Sequence, residues 1–318
     1  MTDDGVAAQM RQAATSLLLQ LDDEQRSLGA LPFADEAARR WIEYRPEPRP
    51  GACLALLTPD GRKAGHRLLA TALSDRAFAQ AMAIVALEEV LDRREKGALR
   101  RHSGDYWVSV FGDPAADDAW SWRFEGHHLS VSMTVRGDAV SPTPVFLGAN
   151  PARVSYAGRT VSRPLAPEED LGRALLESLG SAGRQAAVVA SEAPADIRTA
   201  TRPRAQPELL PVGVAADTLG PTPRALLSEL IALYLDRLVP ALAAREAARI
   251  ASSQLFFAWE GPATPGTRHY YRVQGDDLLI EYDNTTEDGN HAHTVLRRPR
   301  SDFGEDILAA HYSAAHAT

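Results

Sequence analysis

Residues 120–135, WSWRFEGHHLSVSMTV, predict two antiparallel strands joined by a turn at Glu125-Gly126. Aromatic and β-branched residues favour strands, and a polar residue followed by glycine favours a turn. The second strand is expected to begin at His127-His128. After these histidines, apolar side chains alternate with serine and threonine, so successive residues point to opposite faces of a sheet. We therefore expect one face to belong to a core and the other to be polar.

Helical and strand patterns recur along the rest of the chain. Apolar residues spaced by three and four, together with capping residues, predict helices near 6–21, from Ser74 to Gly97, at 168–180, from about Pro223 onward and at 303–312. Short apolar runs predict strands at 105–111, 254–259, 269–274, 277–283 and 291–296. This mixture indicates an α+β protein with antiparallel sheets and flanking helices, folded as one globular unit over residues 1–318.

A constant shift of 149 residues aligns part of the second half of the chain with the first. The aligned identities are Gly112 with Gly261, Arg123 with Arg272, Gly126 with Gly275 and Leu129 with Leu278. The helix that starts at Ser74 falls on the helix expected near Pro223. A duplication would give pseudo-symmetric repeats at 55–180 and 205–318, joined by the proline-rich segment 202–223. Four identities also arise by chance, so both explanations stay open.

The overall composition excludes several classes of protein. With 45% hydrophobic and 24% charged residues, the chain is globular rather than disordered. Its formal charge of -8 argues against nucleic-acid binding, which needs clustered Lys and Arg. No apolar run reaches the ~20 residues that cross a bilayer. The acidic start MTDDGVAAQM lacks the basic residues of a secretory signal, and the single Cys53 cannot form an intrachain disulfide. We therefore expect a cytoplasmic protein.

Four of the nine histidines stand in two short groups, His127-His128 and His291-x-His293. Residues two apart on a strand share a face, so His291 and His293 can converge on one ion as neutral imidazole ligands. A third ligand is expected from the other group, although only one of two adjacent strand residues faces a given site. The pattern thus predicts a metal site built from distant parts of the chain.

Carboxylates accompany these histidines. Glu281 and Asp283 share a face of the neighbouring strand, where either can bind the ion or orient an imidazole. Without thiolates, the set suits a divalent transition metal, Fe, Cu, Zn or Mn, rather than a closed structural zinc site. Hydrogen-bonded histidines at the rim of a sheet would have the same sequence pattern. A cupin is excluded, because no glutamate follows the HxH motif in TVLRRPR.

Further residues are expected around the metal. Arg272 can bind a substrate carboxylate through two parallel hydrogen bonds, or it can form an ion pair across a hairpin with Glu281 or Asp283. These three residues are our candidate catalytic residues. Three others on the same strands are expected to contact the substrate: His269, Tyr271 and Asn284. The chain has no GxGxxG, Walker, GxSxG or HExxH motif, so the histidines are the best indication of a site.

Five strings resemble family 3500 of the domains of unknown function: GHHLSVSMTV, TPVFLGANPA, FAWEG, HYYRVQGDDLLIEYDNT and NHAHTVLRRPRSDFGEDIL. The resemblance covers residues from about 40 to 312 and implies no activity. It marks as family positions His127, His128, His269, Glu281, Asp283, Asn284, His291 and His293. The resemblance also implies that many relatives begin with an export signal, which the acidic start of this chain does not predict, and that they have Trp and Asp after NHxHxV, where this chain has Leu296 and Arg298. The first departure bears on the cellular compartment, and the second on the residues at the edge of the site.

Three functions are compatible with these residues. The first is a metal-dependent enzyme for an anionic small molecule, with redox chemistry at iron or copper favoured over hydrolysis at zinc. The second is a non-enzymatic module that binds a small ligand and whose histidines form hydrogen bonds. The third is a structural role, in which His291→Ala would change stability but no activity. The substrate, the oligomeric state and the identity of the metal stay open.

Overall fold

The computed structural model describes residues 3–99, 101–205 and 212–305. The expected helix at 303–312 lies mostly outside the described residues. Among the described residues, a 3-10 turn at Asp302–Gly304 lies at its expected start. The middle of the expected linker 202–223 also lies outside them. The remaining predictions can be compared with the structure directly.

Nine helices occupy the described part of the chain. They are α1 (Asp3–Leu18), α2 (Asp23–Gly29), α3 (Glu36–Arg39), α4 (Pro59–Ala70), α5 (Asp75–Glu95), α6 (Ala166–Ser178), α7 (Ser181–Ala187), α8 (Pro221–Leu235) and α9 (Pro240–Ile250). Ser74 caps α5 as predicted, because its side chain accepts a hydrogen bond from the Ala77 amide at 3.3 Å. The long helix expected after Pro223 is instead two helices, and Pro240 starts the second. None of these helices is both long and apolar enough to span a membrane.

Fifteen strands accompany these helices in the described residues. They are β1 (Ala30–Leu31), β2 (Ala52–Cys53), β3 (Tyr106–Phe111), β4 (Ala119–Gly126), β5 (Leu129–Arg136), β6 (Ala139–Ser141), β7 (Val145–Ala149), β8 (Val154–Tyr156), β9 (Arg159–Ser162), β10 (Val188–Ala190), β11 (Val214–Ala215), β12 (Phe256–Glu260), β13 (Tyr270–Gln274), β14 (Leu279–Thr286) and β15 (His291–Arg297). All five strands expected from the apolar runs are present, within a few residues of the predicted bounds.

Thirteen strands form one mixed sheet that runs through both halves of the chain. Its main path is β1-β3-β4-β5-β7-β15-β14-β13-β12-β10, while β2, β6 and β11 pair with β3, β5 and β12. The pairs β1–β3 and β10–β12 are parallel, and the other pairs of this sheet are antiparallel. The α+β class predicted from the sequence is therefore confirmed.

The two faces of the sheet differ in chemistry, but both are buried. One face carries large apolar side chains such as Trp122 and Tyr271, which form one core with helix residues such as Leu68 and Leu230. This burial removes apolar surface from water and is the main driving force for the fold. The opposite face is polar, as the alternation in β5 predicted. It is covered by the segments 32–51 and 191–205, which follow β1 and β10.

The strand registers of the two halves agree with the shift of 149 residues. Val110 lies opposite Trp122 in the β3–β4 pair, and Trp259 lies opposite Tyr271 in the β12–β13 pair. The helices of the two halves do not match in the way that the sequence alignment predicts. In chain order α5 directly precedes β3, whereas α9, and not the helix near Pro223, directly precedes β12. The internal duplication itself stays a prediction.

We expect Gly172→Ala to destabilise the protein, although alanine is the better helix former. A Cβ atom at Gly172 of α6 would lie 2.4 Å from the Cε1 atom of Tyr271, in the core between helix and sheet. Such overpacking costs about 1–3 kcal/mol of unfolding free energy. Chemical denaturation would measure it. Gly183→Ala in α7 is the matched control, since its Cβ would meet nothing closer than 3.5 Å. Equal stability of the two variants would contradict this packing.

Candidate metal centre

The centre lies where the β4–β5 turn, the end of β7 and the start of β15 meet. His127-His128 form the turn itself, so the prediction that they begin a strand is wrong. His128 has a φ of 62°, in the left-handed region that turns use. Because the two residues do not alternate as in a strand, their rings lie side by side, with centroids 3.8 Å apart.

Three imidazole nitrogens converge in this place. The Nε2 atom of His291 lies 2.8 Å from Nε2 of His128 and 3.0 Å from Nε2 of His293. His291 and His293 share one face of β15, as their spacing predicted. His128 reaches them across β7, and its main-chain oxygen accepts a hydrogen bond from the Gly148 amide at 2.7 Å. The three side chains form a group that can hold a metal ion.

Gly148 makes this convergence sterically possible. It lies opposite His293 in the pairing of β7 with β15. A Cβ atom at this position would lie 2.8 Å from Cδ2 of His128 and 3.1 Å from Cδ2 of His293. The string FLGANP therefore has a packing role, because only glycine leaves room for the two rings.

Two acidic residues fix the orientation of His293. Oδ1 of Asp196 lies 2.8 Å from Nδ1 of His293, and Oδ2 of Asp283 lies 3.4 Å from the same atom. Asp196 is held in turn by the Tyr44 hydroxyl, which donates to Oδ2 at 2.7 Å. With Nδ1 turned towards these carboxylates, Nε2 of His293 faces the other imidazoles.

His291 and His127 have carboxylate partners of their own. Nδ1 of His291 lies 3.3 Å from Oε1 of Glu287, which also accepts a hydrogen bond from the Asn150 amide at 2.7 Å. Nδ1 of His127 lies 2.5 Å from Oε1 of Glu88 on α5. The side-chain amide of Asn150 thus donates to the side chain of Glu287. In a simple turn it would instead bond its own backbone. Among the three converging histidines, His293 is thus oriented by a carboxylate hydrogen-bonded to Nδ1, while Nδ1 of His291 lies near both the Asn150 amide nitrogen and Glu287.

The surroundings favour neutral imidazoles at two of the three positions. Burial and the neighbouring imidazoles hold the pKa of His128 well below its usual value and lower the pKa of His291 to about 3. Burial also opposes a charge on His293, but Asp283 and Asp196 outweigh it and raise the pKa of His293 to about 9. Neutral imidazole is the form that binds metal ions. The one positive charge of the cluster is held next to the two carboxylates.

Glu281 contributes to the site indirectly. Its carboxylate accepts hydrogen bonds from the Arg198 amide at 2.6 Å and the Tyr270 hydroxyl at 2.9 Å, and also from the Thr199 hydroxyl. These contacts hold the segment that begins with Asp196. Glu281 therefore positions the residue that orients His293, and it lies away from the three converging nitrogens.

The structure does not bring Arg272 or the three expected substrate residues to the cluster. Arg272 lies on β13, two strands away from β15, and its Nη1 atom lies 3.9 Å from a carboxylate oxygen of Glu260. The other three are buried and engaged elsewhere. His269 stacks on Trp259, Tyr271 bonds Tyr234 under the helices, and Asn284 accepts from the His269 amide. Their contacts are structural among the described residues.

A cavity of about 480 Å³ opens beside the cluster. Glu88 and His127 line it, together with Arg49, Trp107 and Leu56. Through the stacked pair His127-His128 the cavity adjoins the three converging nitrogens. A small molecule in this space would lie next to the histidines.

Several residues of the centre were missed from the sequence. Glu88 lies inside a helix, Asp196 in a loop, and Tyr44 in the covering segment after β1. None belongs to a motif or has a spacing that links it to the histidines. Asn150 is the exception, because its string FLGANP was noticed, although its role was not.

A comparison of the chain with protein families finds one that matches residues 3–305, described as protein of unknown function (DUF3500). The chain belongs to the DUF3500 family. Three of the family strings, GHH, FLGANP and NHxH, supply the β4–β5 turn, the end of β7 and the start of β15, which meet at this centre. Comparisons with curated proteins and with solved structures give no match. Membership thus confirms the resemblance and leaves the activity open.

We expect Gly148→Ala to push the rings of His128 and His293 apart. In spectra of ¹⁵N-labelled protein, the ring resonances of these two histidines should shift, while those of His66 and His102 stay in place. Unfolding free energy should fall by about 1–3 kcal/mol, because the core has no room for the methyl group. Gly220→Ala is the matched control, since its Cβ would meet nothing within 4 Å. Unchanged imidazole resonances in Gly148→Ala would contradict the described geometry.

Proposed function

We propose that His128, His291 and His293 bind one divalent transition metal ion, and that the protein is a metal-dependent enzyme acting on a small molecule. The observation that carries this proposal is the convergence of three Nε2 atoms, two from β15 and one from the β4–β5 turn. Adjacent ligands at about 2.0–2.1 Å from one ion lie about 3.0 Å apart in octahedral geometry and about 3.4 Å apart in tetrahedral geometry. The separations of 2.8 and 3.0 Å are close to these values.

The residues behind the imidazoles also fit a metal site. Metal-binding histidines usually donate their other ring N–H to a carboxylate, which fixes the tautomer and the ring orientation. Asp196 stands in this position for His293, whereas Nδ1 of His291 lies 3.2 Å from the Asn150 amide nitrogen and 3.3 Å from the Glu287 carboxylate. A set of imidazoles with carboxylates behind them suits iron, copper, zinc or manganese. Redox chemistry at iron or copper, favoured from the sequence over zinc hydrolysis, stays part of the proposal.

Three protein ligands leave coordination positions for water or substrate, which is typical of a catalytic metal. When bound, the metal would supply a Lewis acid or a redox centre. The protein's own residues would orient the ligands, and Glu88 and His127 would line the cavity beside the cluster. A cytoplasmic location is also proposed, and the lone Cys53 is compatible with it.

A second candidate is a module that binds a small ligand without catalysis. The same separations of 2.8 and 3.0 Å suit hydrogen bonds between imidazoles, and the carboxylates next to His293 suit a protonated ring. In this case the cluster would need no metal. The two candidates differ in metal content, so the following measurement separates them.

Purified protein, prepared without chelator, should contain about one equivalent of a single transition metal by elemental analysis. His291→Ala should lose most of it, while His66→Gln, a histidine of α4 outside the cluster, should keep it. Because the ion binds the native state, restoring it to chelated protein at one hundred times its Kd should raise the unfolding free energy by about 2.7 kcal/mol. Metal-free protein whose stability no added metal changes would refute the enzyme proposal and favour the binding module.

Asp196→Asn should weaken metal binding without removing a ligand. Loss of the carboxylate behind His293 is expected to lower the metal affinity by about 10- to 100-fold, as for other residues that orient a ligand. A competitive chelator titration would measure the affinity. Asp138→Asn, at an exposed turn position, is the control. An affinity equal to that of the control would show that Asp196 does not act through His293.

We also propose that the two halves of the sheet arose by duplication. The matching registers of β3–β4–β5 and β12–β13–β14 support this, since each residue pair of β12–β13 and β13–β14 has its counterpart 149 residues earlier. Each half also has a short parallel edge strand, β1 or β10, that follows a short helix. The site lies near the junction of the halves, where β7 pairs with β15.

A further inference from the structure

The cavity beside the histidines contains a buried arginine with unused hydrogen-bond donors. Arg49 is 7% exposed and lines the cavity. Its Nη2 atom donates to the main-chain oxygen of Arg45, whereas Nε and Nη1 have no hydrogen-bond partner among the described residues. A buried charged group with unpaired N–H donors is costly. A buried arginine of this kind is therefore expected to serve a function.

The carboxylates whose charges act most strongly on Arg49 are already paired with other arginines. Glu125 lies 2.8 Å from Nε of Arg123, and Glu43 lies 2.6 Å from Nη2 of Arg45. Burial lowers the pKa of Arg49, and the charges of Glu125 and Glu43 offset this only in part. The guanidinium is held 5.4 Å above the ring of Trp107, which fixes its position. The guanidinium therefore lines the cavity without an ion-pair partner among the described residues, while its Nε and Nη1 atoms are themselves enclosed by protein.

We propose that this cavity is the substrate pocket and that Arg49 binds the carboxylate of an organic monoanion with an apolar body. The partly exposed Trp107 and the exposed Leu56 supply the apolar wall. Glu47, Glu88 and Asp105 also line the cavity. Their charges would repel a doubly charged phosphate more strongly than a singly charged carboxylate. This inference rests on the proposed function, because His127 and Glu88 place the bound molecule beside the metal ligands. It transfers the anion-binding role from Arg272 to Arg49.

Binding of benzoate and hexanoate, with benzamide and hexanamide as uncharged counterparts, tests the proposal. The Nε–H signal of Arg49 and the indole N–H signal of Trp107 report binding by NMR, in chelated and in metal-loaded protein. At least one carboxylate should shift both signals and bind about tenfold more tightly than its amide. Phenyl phosphate should bind less tightly than benzoate. Absence of any carboxylate effect, or tighter binding of phenyl phosphate, would overturn the assignment.

Substitutions distinguish a binding role from a structural one. Arg49→Met keeps the length of the side chain and should lower carboxylate affinity about tenfold, while Arg49→Lys should recover part of it. Removing an unpaired buried charge should leave thermal stability equal or higher. Arg62→Met, on the exposed surface of α4, should match wild type. An Arg49→Met protein that is destabilised yet binds carboxylates normally would overturn the proposal.

Measuring carboxylate binding in chelated and in metal-loaded protein separates this inference from the metal proposal. Carboxylate binding that depends on Arg49 in a protein that takes up no metal would support the pocket and refute the metal site. Metal binding that depends on His291, without any carboxylate effect at Arg49, would support the metal site and refute the pocket.

Discussion

The antiparallel pairing of β7 with β15 is the constraint on which the site depends. It joins the two halves of the sheet and sets Gly148 opposite His293. A slip of one residue would turn His291 and His293 towards the helices, because side chains alternate along a strand. The same register places Gly148, which has no side chain, where the imidazoles of His128 and His293 approach each other. Strand pairing and ligand geometry are thus fixed by one set of backbone hydrogen bonds.

Burial of the polar face links this pairing to the charges around the site. Charged groups removed from water need partners, and the segment after β10 supplies them. Glu281 accepts hydrogen bonds from the Arg198 and Thr199 amides, which fixes the segment on the sheet. Asp196, at the start of that segment, can then reach His293. The interactions that close the polar face therefore also set the orientation of a ligand.

The sequence predicted those features that depend on local periodicity. The spacing of His291 and His293 was enough, since a strand has a period of two. The same rule was wrong for His127 and His128, because the chain turns there and strand alternation ends. Asp196 and Glu88 could not be found, since a loop and a helix bring them to the site through packing over long sequence distances. Arg272 has the chemistry of an anion clamp, but the sheet order places it two strands from β15.

The two ends of the sheet show why a cation suits the histidines. At the register that corresponds to the His127-His128 turn, the β13–β14 turn carries Asp276 and Asp277. Asp277 contacts Arg249 at 2.6 Å and the Ser301 hydroxyl at 2.7 Å, so opposite charges and donors close that end. At the histidine end, ring nitrogens with the same lone-pair chemistry face one another instead. Burial, together with the neighbouring imidazoles, lowers the pKa of His291 and disfavours a proton there. In the proposed function, a metal ion would provide a positive charge shared by all three nitrogens, which a single proton cannot provide.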